Sequence, residues 1–183
     1  MKVVVIADNL GNNAPGVVFR NILSGISGKI EIDIVTSTMD YQIPFNHRGL
    51  VKYVPQKRIP SWRIRTWLFD IFGFYHTQRN WARGIQDILD SGAYDVVISL
   101  MSSTFYASLM AADLYVAKRD VKHICYCVDA VPPPPPWEKR GMYSYAMKRC
   151  IKRYMQRVDV LCMTNQEMLA HELGIIGNPK IKS

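Results

Sequence analysis

Four cysteines are all the chain has in 183 residues. Cys125, Cys127, Cys150 and Cys162 form no CxxC pair and show no metal-ligand spacing. Three lie in apolar stretches and the fourth in a predicted helix, the pattern of reduced, buried thiols in a cytoplasmic protein. The four histidines are scattered, and His171-Glu172 lacks the second histidine of a zinc-binding helix. No metal is therefore expected. Apolar runs such as Val3-Val4-Val5-Ile6-Ala7 are far too short to span a bilayer. Lys2 leads straight into that run with no small-residue cleavage site, so the N-terminus does not read as a signal peptide. Also missing are the G-x-G-x-x-G dinucleotide fingerprint, a nucleophile elbow, a Cys-His pairing, a deaminase signature and any nucleic-acid recognition module.

What is present is a chain long enough for one domain with a full core, 49% hydrophobic, with a net charge of +8. Its positive residues cluster. Lys139, Arg140, Lys148, Arg149, Lys152, Arg153 and Arg157 crowd one stretch. Lys57, Arg58, Arg63 and Arg65 form a second, interleaved with Trp62, Trp67 and Phe69. Such fields attract phosphates, although each single residue also fits a solvated helix face.

Apolar runs alternate with helical segments. Strands are predicted at Lys2–Ala7, Ile30–Thr36, Leu50–Val54, Tyr94–Leu100, Val121–Val128 and Val158–Met163. The second, with Glu31 and Asp33 between isoleucines, suits a sheet margin. Helices are predicted at Gly16–Ile26, Ser61–Leu89 (broken near Gly73), Ser103–Lys118, Trp137–Arg157 and Gln166–Leu173. The alternation implies an α/β fold, a Rossmann-like, doubly wound and mostly parallel sheet with helices on both faces. Residues 1–174 read as one domain. Ile175–Ser183 reads as the start of a linker or another strand.

In such a sheet, ligands bind beyond the carboxyl ends of the strands. The first loop there runs from Asp8 through Asn9 and Leu10 to Gly16, with Gly11, Asn12, Asn13, Ala14, Pro15 and Gly16 its candidate contacts. Its small residues admit an anion to the backbone amides at a helix N-terminus, or simply make a well-capped turn. Its G-x-x-x-x-G spacing is followed by Val17-Val18 rather than Lys and Ser or Thr, which excludes a P-loop. Ser102, Ser103 and Thr104 offer hydroxyls for capping or for a ligand. Asp129 ends the strand Ile124–Val128 just before a five-proline run, Pro132–Pro136. It is the leading candidate for a functional carboxylate, with a backbone-bonding turn residue as the alternative. The proline run reads as a stiff spacer within the fold. Thr164 and Asn165 end the last strand and cap the closing helix.

These segments together resemble the N-terminal domain of GT-B fold glycosyltransferases of the retaining group 1 (family four) type. The matching stretches are Val3–Ala7 with its small-residue loop, Tyr94–Ile98, His123–Asp129 and Arg157–Thr164, so the likeness spans nearly the whole chain. It implies the acceptor-side half of a cleft that moves a sugar from a nucleotide-sugar donor to a glycan or lipid-linked acceptor. Gly11–Gly16 would lie near the donor's diphosphate or the acceptor, though without the family's adjacent glycines. Asp129 would be catalytic, orienting an acceptor hydroxyl, though Val128 precedes it where the family often has a polar residue. The family's donor-holding glutamate pair has no counterpart here and belongs to a C-terminal domain downstream. The nucleotide sugar is a substrate, and no cofactor is implied. Work at the cytoplasmic face of an anionic membrane is also implied, with Trp62, Trp67, Phe69 and Phe72 either on the lipid or, for most of them, in the core. The other reading is a stand-alone Rossmann-like module binding a nucleotide, nucleic acid or partner protein.

Overall fold

The computed structural model describes residues 1–27, 29–39, 48–57, 62–103, 105–133 and 142–183. Arg58, Ser61, Thr104, Pro134–Pro136, Trp137, Lys139 and Arg140, all named above, lie outside them, as do the side chains of Trp62 and Arg65.

Six strands form one sheet: β1 (Val3–Ala7), β2 (Ile32–Thr36), β3 (Val51–Tyr53), β4 (Val96–Met101), β5 (Lys122–Cys127) and β6 (Val160–Met163). Every pairing is parallel, and the order is β3-β2-β1-β4-β5-β6. This is a Rossmann-like sheet, whose order reverses between β1 and β4. The helices are α1 (Ala14–Ser27), α2 (Trp62–Phe72), α3 (His76–Gly84), α4 (Gln86–Asp90), α5 (Ala107–Val116), α6 (Met142–Tyr154) and α7 (Gln166–Ile176).

Strand residues alternate between two cores. Val3, Val5, Ala7, Ile32 and Ile34 pack against Phe19 and Leu23 of α1. Val4, Ile6, Val97, Met101, Cys125 and Leu161 pack on the other face with residues of α3, α5, α6 and α7. Coverage on both faces explains why β1 is apolar at every position and fully buried. Helix α5 lies deepest. Nine of its ten residues are buried, which accounts for its largely apolar sequence, and the polar Ser108 and Asp113 are bonded to Leu100 and Arg157.

Several boundaries differ from the sequence expectation. Helix α1 begins at Ala14, because Asn13 caps it and Pro15 is tolerated in the first turn, where no intrahelical N–H is needed. The stretch after Gly73 contains two helices rather than one, since Ile85 leaves helical geometry (φ −93°, ψ 0°) between α3 and α4. Strand β2 lies one place in from the margin, with β3 outside it. Its Asp33 is accommodated by the Leu50 amide at 3.0 Å and the Tyr94 hydroxyl at 2.9 Å. Helix α7 continues to Ile176 and ends at Gly177, which has left-handed φ. Beyond it Ile181 is buried, and Lys182 makes a parallel bridge to Val160.

Candidate functional site

A cleft of about 560 Å3 opens at the carboxyl ends of β1, β2 and β3, beside the reversal of strand order. Asp8 and Asn9 follow β1, Ser37 and Thr38 follow β2, and Gln56 and Lys57 follow β3. Tyr75, Gln78 and Phe105 face them from α3 and the loop after β4, and Tyr53 adds a further aromatic ring. The lining combines hydroxyls, amides, one lysine and one carboxylate with three aromatic rings.

Asp8 is a buried polar group at its floor, with 4% exposure. Its carboxylate accepts from the amides of Ala107 at 2.8 Å and Ser108 at 2.7 Å. The residue before α5 is Tyr106, which supplies no side-chain cap, so Asp8 caps α5 from across the sheet. Burial pushes its carboxyl up to about 7, against the lowering effect of the two amide bonds. The Asp8 carbonyl accepts from the Ser37 hydroxyl at 2.6 Å, and Gln56 donates to that hydroxyl at 3.0 Å. The floor of the cleft is thus tied to three strands.

The loop after β1 largely satisfies itself. The Leu10 amide donates to Thr38, Gly11 to the Asn9 side chain, Asn13 to the Gly11 carbonyl, and Gly16 to the Asn13 side chain. Arg20, buried on α1, donates to the Leu10 carbonyl at 3.0 Å. A Cβ on Gly16 would lie 2.2 Å from the Gly11 oxygen, so the pair of glycines serves a close backbone approach. Pro15, in the first turn of α1, has no amide hydrogen to give.

The other candidates occupy two more places. Ser102 and Phe105 exchange backbone bonds at 3.1 and 3.0 Å, so Ser102 and Ser103 belong to a tight turn ahead of α5. They were expected to begin that helix; the Asp8 cap starts it at Ala107 instead. Asp129 is half-buried beyond β5, and its carbonyl accepts from the Cys127 thiol. Near it, Thr164 donates to the Val128 carbonyl at 3.0 Å, and Asn165 caps α7 through the Met168 amide at 2.8 Å. Glu172 accepts from the Val131 amide at 2.9 Å, and His171 contacts the Pro132 carbonyl at 3.2 Å. Thr164 and the middle of α7 therefore anchor the loop that carries Asp129. Of the residues named from the sequence, Asp8 and Asn9 of the first loop and Lys57 of the basic cluster line the cleft, whereas Gly11–Gly16, Ser102, Ser103, Asp129, Thr164 and Asn165 do not. Ser37, Gln56 and Gln78 had no sequence signal.

Among the described residues, no three potential metal ligands gather, and no helix is long and apolar enough to cross a membrane. His123 is buried against Ser99, and burial lowers it to about 4, so its ring is neutral and sealed in the sheet. Of the α2 aromatics, Phe69 is buried as expected of core, whereas Trp67 and Phe72 are 62% and 46% exposed.

No family model and no curated protein matches the sequence. Solved structures with similar folds include L-threonine dehydrogenase from Clostridium difficile (12% identity, TM-score 0.47, covering 85% of this chain and 49% of that one). Another is dTDP-glucose 4,6-dehydratase from Bacillus anthracis str. Ames in complex with NAD (9%, 0.47, 89% and 54%). A third is a ugt transferase from Siraitia grosvenorii in complex with UDP (8%, 0.49, 99% and 50%). The chain spans about half the length of each. The Rossmann-like architecture rests on the strand order itself.

Proposed function

We propose that this chain is the acceptor-side half of a retaining glycosyltransferase, completed by a donor-binding domain downstream. The observation that carries this reading is the cleft. Its hydroxyls, amides and buried carboxyl suit the many hydroxyls of a sugar, and Tyr53, Tyr75 and Phe105 suit the apolar faces of its ring. Two features argue against dinucleotide binding. The first loop uses most of its amides internally. The end of β2 carries Ser37, where a ribose-binding site of this fold has a carboxylate.

In this reading the acceptor lies in the cleft, and Asp129 on its anchored loop orients the acceptor hydroxyl that reacts. Neither half turns over alone, since transfer needs acceptor and donor held together. The test compares the longest natural chain containing this sequence with residues 1–183, on a panel of nucleotide sugars. Transfer by the long chain only, lost on Asp129→Ala, supports the proposal. A natural chain that ends here and turns over no donor favours the stand-alone binding module.

A further inference from the structure

A second concavity, of about 420 Å3, lies between α2, α3 and α6, away from the cleft. Three arginines line it: Arg79 from α3, and Arg149 and Arg153 from α6. Phe72, Phe74 and Tyr154 form its apolar walls.

The sequence builds this place in two steps. Arg149 and Arg153 are four residues apart on α6, so both guanidinium groups leave the same face. Gly73 then ends α2 with φ +74°, and a Cβ there would lie 2.4 Å from the Ala146 carbonyl. That close contact turns the chain against α6, so that Phe74 and then Arg79 come round to meet the α6 pair. Phe72 and Phe74 meet across the elbow with tilted rings, their centroids 6.0 Å apart. Arg153 lies over the Tyr154 ring, 5.6 Å from its centroid.

Like charges four residues apart on a helix repel, and a third arginine at the same hollow adds to the repulsion. No ion pair to any of the three is found among the described residues. The nearby Asp113 is engaged by Arg157 at 2.8 Å. Elsewhere on the chain arginines do have carboxylate partners, as Arg119 has Asp90 at 2.8 Å. A concave site with three guanidinium groups that have no carboxylate partner among the described residues, and with aromatic walls, matches an anion attached to an apolar body.

We propose that this concavity binds the phosphate or diphosphate of an amphiphilic ligand, with Arg79, Arg149 and Arg153 on the anion and Phe72, Phe74 and Tyr154 against the apolar part. The ligand is either a soluble phosphate ester or a lipid headgroup. The proposal does not depend on the transferase reading.

Two probes distinguish these sources: sodium pyrophosphate followed by calorimetry, and co-sedimentation with phosphatidylcholine vesicles with or without phosphatidic acid. Removing a charge-assisted contact weakens binding by about tenfold, so R149Q/R153Q is expected to lose roughly a hundredfold. The control K52Q/K118Q removes the same charge from exposed lysines elsewhere and is expected to lose far less. R79Q alone repeats the test from a different helix, should the double variant fail to fold by circular dichroism. Pyrophosphate binding lost with the arginines assigns a free phosphate group. Binding to the phosphatidic acid vesicles alone, lost with the same arginines, assigns a lipid headgroup. If neither probe binds, or the lysine control loses as much as the arginine variants, the site is not there.

Discussion

Glu172→Gln is expected to reverse the sign of its effect on stability between pH 5 and pH 8. Glu172 is fully buried on α7, with one carboxyl oxygen on the Val131 amide and the other without a hydrogen-bond partner among the described residues. Burial raises its pKa from 4.5 to about 8, the Val131 amide pulling the other way. The folded protein therefore keeps this proton through a window in which the unfolded chain has released it. The contribution to stability is fully present below pH 4.5 and declines as pH rises towards 8. At about 1.4 kcal/mol per pH unit within the window, the wild-type chain loses about 3 kcal/mol between pH 5 and pH 8 from this group. Glutamine never ionises and keeps an oxygen for Val131, but its amide brings an extra buried donor that costs about 1 kcal/mol. The variant should thus be about 1 kcal/mol less stable at pH 5 and about 2 kcal/mol more stable at pH 8. Urea unfolding at pH 5, 6, 7 and 8, followed by far-ultraviolet circular dichroism, measures the difference directly. Asp8 and His123 also titrate, but equally in both proteins, so their effects cancel. A constant offset across the window would refute the account of Glu172 as a buried, protonated anchor.

Asp8→Asn leaves one acceptor oxygen for two amides at the start of α5. It should cost about 1–3 kcal/mol in urea unfolding at pH 5, where the folded wild-type carboxyl keeps its proton, and the deficit should shrink towards pH 8 as the wild type ionises against a pKa raised to about 7. An unchanged midpoint would mean that α5 has no need of this cap. Gly73→Ala puts a Cβ 2.4 Å from the Ala146 carbonyl at a left-handed φ of +74°. The φ strain costs about 1 kcal/mol before the clash is counted, so the thermal midpoint should fall by several degrees. The exposed Gly84, which has nothing within 4 Å of its added Cβ, is the control and should tolerate alanine.

The architecture was legible because its signals are local. The apolar β1 run, the alternation of strands and helices, and the Gly73 break can each be read within a short window, and Asn13 and Asn165 cap the helices that follow them. The candidate site was less so, because its contacts join distant residues. Asp8 could be seen to end β1, but the amides it caps lie 99 and 100 residues downstream. No local signal points there, because the sequence suggests a helix start at Ser103, whose hydroxyl could cap it, and the true start behind Tyr106 shows only in the structure. The glycines of the first loop were legible as a turn, but their closeness to each other was not. In the arginine hollow, Arg149 and Arg153 follow from helical spacing. Arg79 joins them only through the Gly73 contact with α6.

The central claim is that the cleft beyond β1, β2 and β3 holds the acceptor of a sugar transfer. The most direct measurement is transfer by the longest natural chain from a nucleotide-sugar panel to glycan acceptors, for the wild type and for Gln56→Ala. Gln56 lines the cleft and holds Ser37 over Asp8, so its loss should raise the KM for acceptor while leaving the KM for donor unchanged. Equal activity and equal KM values in both proteins, or no transfer to any acceptor from any donor, would contradict the account.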